Sequence, residues 1–132
     1  MLAVHPSLLI TDDDRDFRET LREVFESRGF RTLLAADGEE ALRIVRLERI
    51  HVVVVDMYMP RLSGLETVQR LRESRLQIPC ILLSSAMDER LATAAREFAI
   101  FAALSKPISF VDITRVVGEA VRVSLDSQNA LN

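Results

Sequence analysis

His51–Gly64 reads HVVVVDMYMPRLSG, and the valines inside it decide how the rest of the chain is read. Val52–Val55 is far too short for a membrane span and carries no helical period. Consecutive β-branched residues of this kind form a strand buried on both faces, whose usual home is a parallel sheet. The run stops on Asp56, and a carboxylate at the C-terminal end of a buried parallel strand lies where open α/β sheets bind their ligands. Pro60 and Gly64 punctuate the loop that follows. In LETVQRLRES the apolar residues Leu65, Val68 and Leu71 then fall on one helical stripe. The order is strand, acidic tip, loop, helix.

The same unit recurs on both sides. Upstream, LLIT at 8–11 ends in Asp12, Asp13 and Asp14, and Phe17, Leu21, Val24 and Phe25 give a helix that stops at Gly29. A second strand, RTLLAA at 31–36, leads to a helix opened by Gly38 and carrying Ala41, Leu42 and Val45. Downstream, Pro79 starts the strand CILLS, which ends in Ser84 and Ser85. A helix over about Asp88–Phe98 presents Leu91, Ala94, Ala95 and Phe98. Phe101–Ser105 makes the fifth strand, stopped by Lys106-Pro107. The last helix, over about Phe110–Leu125, shows Ile113, Val116, Val117, Ala120 and Val121. Strict alternation of five strands and helices implies an α/β, doubly wound parallel sheet with helices on both faces. One domain over 1–125 and a short frayed tail over 126–132 are expected.

Composition fits a folded domain: 48% of the 132 residues are apolar and 28% charged, enough for a core without disulfides or structural metal. The net charge of −3 argues against nonspecific nucleic-acid binding. No apolar run approaches the length of a spanning helix, and the N-terminus lacks a basic region and a cleavage site, so a cytoplasmic protein is expected. Cys80 lies inside the apolar run CILL and reads as a buried strand residue. Of the 17 basic residues only Lys106 is a lysine. A lone ammonium among guanidinium groups points to a site that wants a compact point charge.

In a parallel sheet the strand C-termini share one edge, which brings Asp12, Asp13, Asp56, Ser84 and Lys106 together. Three ionised carboxylates in one pocket repel, and the usual remedy is a hard divalent cation, here Mg²⁺. One lysine and one hydroxyl remain for something anionic. Metal, ammonium, hydroxyl and a carboxylate able to act as nucleophile together describe phosphoryl transfer onto an aspartate. Singly, each has a plainer reading. The acidic run could cap a helix, Asp56 could simply end a strand, the serines are common loop formers, and Lys106-Pro107 could be an ordinary turn. It is the order of acid, acid, hydroxyl and lysine on four strand ends that favours the joint reading.

The motifs LLITDDD, VVVVDMYMP, LLSS and SKP resemble the receiver domain of two-component response regulators, including the single-domain chemotaxis regulators. The likeness runs from about Leu8 to Leu125. Ser84 follows Asp56 by 28 positions and Lys106 follows Ser84 by 22, as in that family. The resemblance implies a flavodoxin-like sheet of order 2-1-3-4-5, with Asp56 as phosphoacceptor. It implies Mg²⁺ held by Asp12, Asp13, Asp56 and the Tyr58 main-chain carbonyl, Ser84 as the switch hydroxyl, and Lys106 pairing with the phosphoryl group. Such a domain is no general enzyme; it catalyses only its own phosphoryl transfer and autodephosphorylation. The implied partners are a sensor histidine kinase or histidine phosphotransfer protein, and a downstream protein or fused effector. A homodimer through the fourth helix, fifth strand and fifth helix is a further expectation; direct nucleic-acid binding and membrane association are not expected. With no effector domain inside 132 residues, a stand-alone receiver or the N-terminal part of a longer regulator is expected.

One position departs from the family. Ala103 stands where an aromatic is usual, so the readout is expected to pass through Ser84 and the loop to Glu89 instead. Three other readings stay open at this point. A haloacid-dehalogenase-like phosphatase would need a second acid two residues beyond its nucleophile, where this chain has Tyr58. A nucleotide-binding module would need GxxxxGK or GxGxxG, and neither is present. An adaptor that keeps the fold without phosphorylation is opposed by the intact acid, hydroxyl and lysine set and favoured by Ala103.

Overall fold

The structure is a computed structural model that describes residues 5–131, with side chains through Ser127. Five strands, β1 (Ser7–Thr11), β2 (Arg31–Ala35), β3 (Val52–Asp56), β4 (Cys80–Ser84) and β5 (Ala102–Ser105), alternate with five helices. These are α1 (Arg15–Glu26), α2 (Gly38–Leu47), α3 (Gly64–Glu73), α4 (Glu89–Glu97) and α5 (Phe110–Leu131). All pairings are parallel and the strand order is β2-β1-β3-β4-β5, as expected.

Strand alternation sorts the core into two layers. Leu9, Val53, Val55 and Leu82 point to one face, where Ala41, Leu42 and Val45 of α2, Val68 and Leu71 of α3 and Leu91 of α4 cover them. Leu8, Ile10, Val52, Val54, Ile81 and Leu83 point to the other, under Leu21 and Phe25 of α1 and Ile113, Val116, Val117, Ala120 and Val121 of α5. The valines of β3 feed both layers, and all four are fully buried. Each contributes about 1.5–3 kcal/mol relative to an exposed side chain. That is why a polar-free run in sequence sits at the centre of the sheet.

Helix starts follow the local sequence. Asp14, Asp37, Ser63 and Asp88 each accept a backbone N–H at the head of α1, α2, α3 and α4, and Ser63 with Glu66 completes a reciprocal cap. Helix ends are less regular. Gly29 after α1 has φ +89°, whereas the left-handed positions after α3 and α4 are filled by Arg75 (φ 63°) and Ala99 (φ 53°). Arg72 of α3 ties these two ends together. Its Nε donates to the Phe98 carbonyl at 3.0 Å and Nη1 to those of Leu76 and Ile78 at 2.9 Å, while Nη2 reaches the Ala99 carbonyl at 3.2 Å.

One expectation is corrected. α5 continues to Leu131, so the frayed tail expected from Asp126 is helical as far as the structure describes it; Asn132 lies outside the described residues. The apolar period fades after Leu125, but no proline or glycine follows to stop the helix.

Candidate functional site

The C-terminal ends of β1, β3 and β5 place the acids and the lysine. β1 delivers Asp12, 1% exposed, and the next residue, Asp13, is exposed. Two contacts fix that turn: the Asp14 N–H donates to Asp12 Oδ1 at 2.9 Å, and Arg18 Nη1 donates to the Asp12 carbonyl at 2.7 Å. β3 delivers Asp56, 5% exposed. Behind it the loop folds back tightly, with the Gly64 N–H donating to the Met57 carbonyl at 2.9 Å. A Cβ on Gly64 would overlap the Asp56 carbonyl oxygen and lie 2.8 Å from Leu82 Cδ1, so only glycine lets α3 begin against the strand end. After β5 comes Lys106, joined to Pro107 by a cis peptide bond, with its N–H on the Ser84 carbonyl at 2.9 Å.

The side chains converge. Carboxylate oxygens of Asp12, Asp13 and Asp56 lie within 4.8 Å of one another. Lys106 Nζ sits 2.7 Å from Asp56 Oδ1 and 3.2 Å from Asp12 Oδ2. The contact with Asp56 is ionic in character, its angles falling outside those of a directed hydrogen bond. Burial pushes the Asp12 carboxyl above its ordinary pKa and the charge of Asp56 adds to this, against the Asp14 N–H and Lys106, which pull it down. For Lys106 burial alone would favour the neutral amine. The close contact with Asp56 and the charges of Asp12 and Asp56 outweigh it and hold the ammonium above its ordinary pKa. A buried acid pair and an exposed third carboxylate, all hard oxygen donors, suit a cation such as Mg²⁺, which binds through a few carboxylates and keeps several waters.

Ser84 is at the same edge and fully buried, but its hydroxyl does not join the cluster. Oγ donates to the Ala86 carbonyl at 2.7 Å and accepts the Ala86 N–H at 3.1 Å, closing a small ring within its own loop. Tyr58, 55% exposed, stands two residues beyond Asp56 on the rim of an open cleft of about 380 Å³, lined also by Met57, Leu65, Ala86 and Leu91. Ala103 packs into the layer under α2, α3 and α4, and Phe101 into the opposite one. Cys80 is buried, with its thiol pushed up to about 11 mainly by burial, which suits an inert core residue.

Sequence reasoning missed one contact at the site. The Lys106 ammonium lies over the ring of Phe17, 4.8 Å from its centroid. In the sequence Phe17 stands out only as part of the apolar stripe of α1. Its place in the first turn, one turn beyond Asp13, was the available signal.

Comparison with known proteins agrees with this geometry. A family model described as the response regulator receiver domain matches residues 8–118. The response regulator MprA of Mycolicibacterium vanbaalenii is 40% identical over 87 residues, a match covering 64% of this chain and 38% of that protein. The chain thus spans well under half the length of the curated relatives it matches. Among solved structures, the receiver domain of Francisella response regulator 1452 superposes with a TM-score of 0.85 at 28% identity, covering 91% of this chain and 99% of that one. The Vibrio cholerae chemotaxis protein CheY4 gives 0.83 at 22%, covering 89% and 99%. Among the described residues no helix is long and apolar enough to cross a membrane. With its five parallel strands in the order 2-1-3-4-5 and its acids and lysine gathered at one sheet edge, this chain belongs to the response regulator receiver domain family of two-component systems.

Proposed function

We propose that Asp56 accepts a phosphoryl group from a sensor histidine kinase or a histidine phosphotransfer protein, and that the new charge switches a surface read by a downstream protein or fused effector. The observation that carries this reading is the convergence of Asp12, Asp13 and Asp56 within 4.8 Å, with Lys106 2.7 Å from the Asp56 carboxylate. Asp12, Asp13, Asp56 and the Tyr58 main-chain carbonyl would hold Mg²⁺. When bound, the metal neutralises charge on the transferring oxygens.

In the transfer a carboxylate oxygen of Asp56 attacks phosphorus while the bond from phosphorus to the donor's imidazole nitrogen breaks. The electron pair leaves with the imidazole. Lys106 shifts its ammonium from the Asp56 carboxylate to a phosphoryl oxygen. Ser84 releases both bonds to Ala86 and donates its hydroxyl to another phosphoryl oxygen. That exchange frees the loop from Ser85 to Asp88 and the start of α4, so the surface of α4, β5 and α5 carries the output and offers a homodimer face. The chain catalyses this transfer and its own dephosphorylation and no other reaction. The receiver unit of this reading covers 1–125, makes no direct contact with nucleic acid and works in the cytoplasm.

The test is incubation with Mg²⁺ and acetyl phosphate, followed by intact-mass measurement. One added phosphoryl group, lost on Asp56→Asn and on chelation, is expected. An unchanged mass for the wild-type chain, or undiminished labelling of Asp56→Asn, overturns the reading.

A further inference from the structure

Three groups hold the Lys106 ammonium: Asp56 Oδ1 at 2.7 Å, Asp12 Oδ2 at 3.2 Å and the face of Phe17 at 4.8 Å. Two of them are the carboxylates that a divalent cation takes. Once metal is bound, the ammonium loses part of its hold on both, and the ring face is the contact that remains. An aromatic face attracts a cation through its quadrupole without presenting a lone pair or a formal charge. It therefore neither binds the metal nor competes with a phosphoryl oxygen for the lysine's protons.

The backbone around Phe17 is unusually well fixed. Asp14 Oδ1 accepts the N–H of Asp16 at 3.0 Å and that of Phe17 at 3.2 Å, while Arg18 grips the Asp12 carbonyl at 2.7 Å. One helical turn thus sets both the acids at the end of β1 and the ring that meets the lysine after β5. The ring also touches the layer under α1 and α5, so its position is not free to drift.

We propose that Phe17 is a positioning residue for Lys106, its ring face keeping the ammonium aimed at the Asp56 site when metal and phosphoryl group occupy the carboxylates. This rests on the phosphoacceptor reading of Asp56. The role is distinct from core packing, because it depends on the electron density of the ring and not on its volume.

The test compares wild type, Phe17→Leu, Phe17→Tyr and the chain carrying 3,4,5-trifluorophenylalanine at position 17, which keeps the shape of the ring and drains its face. Labelling rates with acetyl phosphate are read by intact mass at saturating Mg²⁺. Metal affinity of wild type, Phe17→Leu and the trifluoro chain is read from the fluorescence of Tyr58, the only tyrosine of the wild-type sequence, which has no tryptophan. Phe17→Leu and the trifluoro chain should both label on the order of fivefold more slowly, the size of a partly desolvated cation–π contact. Phe17→Tyr should restore most of the rate, with Mg²⁺ affinity and melting temperature of the trifluoro chain unchanged. If wild type labels and the trifluoro chain labels equally fast, Phe17 is only a packing residue and the proposal falls alone. If wild type takes up no phosphoryl group, the phosphoacceptor reading falls and takes the proposal with it.

Discussion

Removing one carboxylate from the acidic cluster should stabilise the fold in the absence of metal and abolish its response to metal. Asp13 is the residue to change, because it is exposed and its replacement disturbs no packing. Its carboxylate lies within 4.8 Å of those of Asp12 and Asp56. At such a separation two unit charges repel by about 3.5 kcal/mol at an effective dielectric constant near 20 and by about 0.9 kcal/mol in bulk water. Solvent around Asp13 puts each pair near the lower figure, so Asp13→Asn should relieve about 1–2 kcal/mol in total. For a domain of this size that is a rise of roughly 3–8 °C in melting temperature.

Magnesium should reverse the ranking. A site filled at about 100 times its Kd would add about 2.7 kcal/mol to the wild-type chain, whereas Asp13→Asn, one carboxylate short, should gain little. Melting in a chelator and across a Mg²⁺ series should therefore give curves that cross. Asp13→Asn should be the more stable chain without metal and the less stable one with it, and it should fail to take up phosphate. A variant that melts below wild type in chelator, or that responds to Mg²⁺ as strongly as wild type, would refute the electrostatic account of the cluster.

Ala99→Gly should raise stability by about 0.5–1 kcal/mol, since the left-handed conformation at φ 53° costs a non-glycine residue about 1–2 kcal/mol and the freer unfolded chain returns part of that. Gly29→Ala is the mirror experiment, with φ +89° and nothing within 4 Å of the new Cβ, so guanidinium midpoints that move in the same direction for both would sink the argument. His51 accepts the Ser7 N–H on Nδ1 at 3.0 Å, and burial, aided by the charge of Arg49, lowers its pKa. The neutral ring is the folded form, so its contribution is whole above the ordinary histidine value near 6.5 and is lost as pH falls through the depressed folded value. His51→Gln should flatten that limb of the stability profile, and an unchanged limb would assign it to other groups. Tyr58→Gly should shorten the lifetime of the aspartyl phosphate by opening the path for water; a lifetime equal to wild type would discard the steric explanation. With beryllofluoride and Mg²⁺, amide exchange should change most from Ser84 to Leu91 and little around Ala103. Changes of equal size at Phe101–Leu104 would contradict this.

Much of the fold was legible because a parallel sheet buries both faces of its inner strands. Val52–Val55 and Cys80–Leu83 leave no room for polar residues, so their ends are sharp and the residues that follow stand out. Strict alternation implied helices on both faces but not the strand order, which came from the family resemblance. The acids and the lysine were legible for the same reason as the strands, as polar residues ending apolar runs. The Ser84 hydroxyl was not, because whether it faces the acids or closes on Ala86 depends on a loop conformation that no periodicity encodes. Phe17 hid within the stripe of α1, since an apolar period looks the same whether the ring only fills the core or also meets a cation. Arg75 and Ala99 gave no sign of their positive φ, glycine being the usual marker of a left-handed helix end.

The distribution of contacts around α4 explains why the largest change is expected at the start of that helix and not on β5. Leu91 is the one buried side chain of α4, whereas five of the described side chains of α5 are buried in the core. Residues 85–90, which lead into α4, are all exposed. The start of this helix therefore depends on a few local bonds: the Asp88 cap on the Leu91 N–H at 2.9 Å, and the ring that Ser84 closes with Ala86. Its far end is different, because Arg72 donates to the carbonyls of both Phe98 and Ala99 and so fixes the left-handed residue to α3. A helix held at its C-terminus and lightly held at its N-terminus yields first at the N-terminus. β5 lacks a comparable moving part. Ala103 has no side chain to turn, and the ring of Phe101 lies in the layer under α1 and α5, across the sheet from α4. Phe101 stands just before β5 with its N–H on the Cys80 carbonyl at 2.9 Å, so bringing its ring to the face of Ala103 would mean turning the backbone at the start of the strand and breaking that bond.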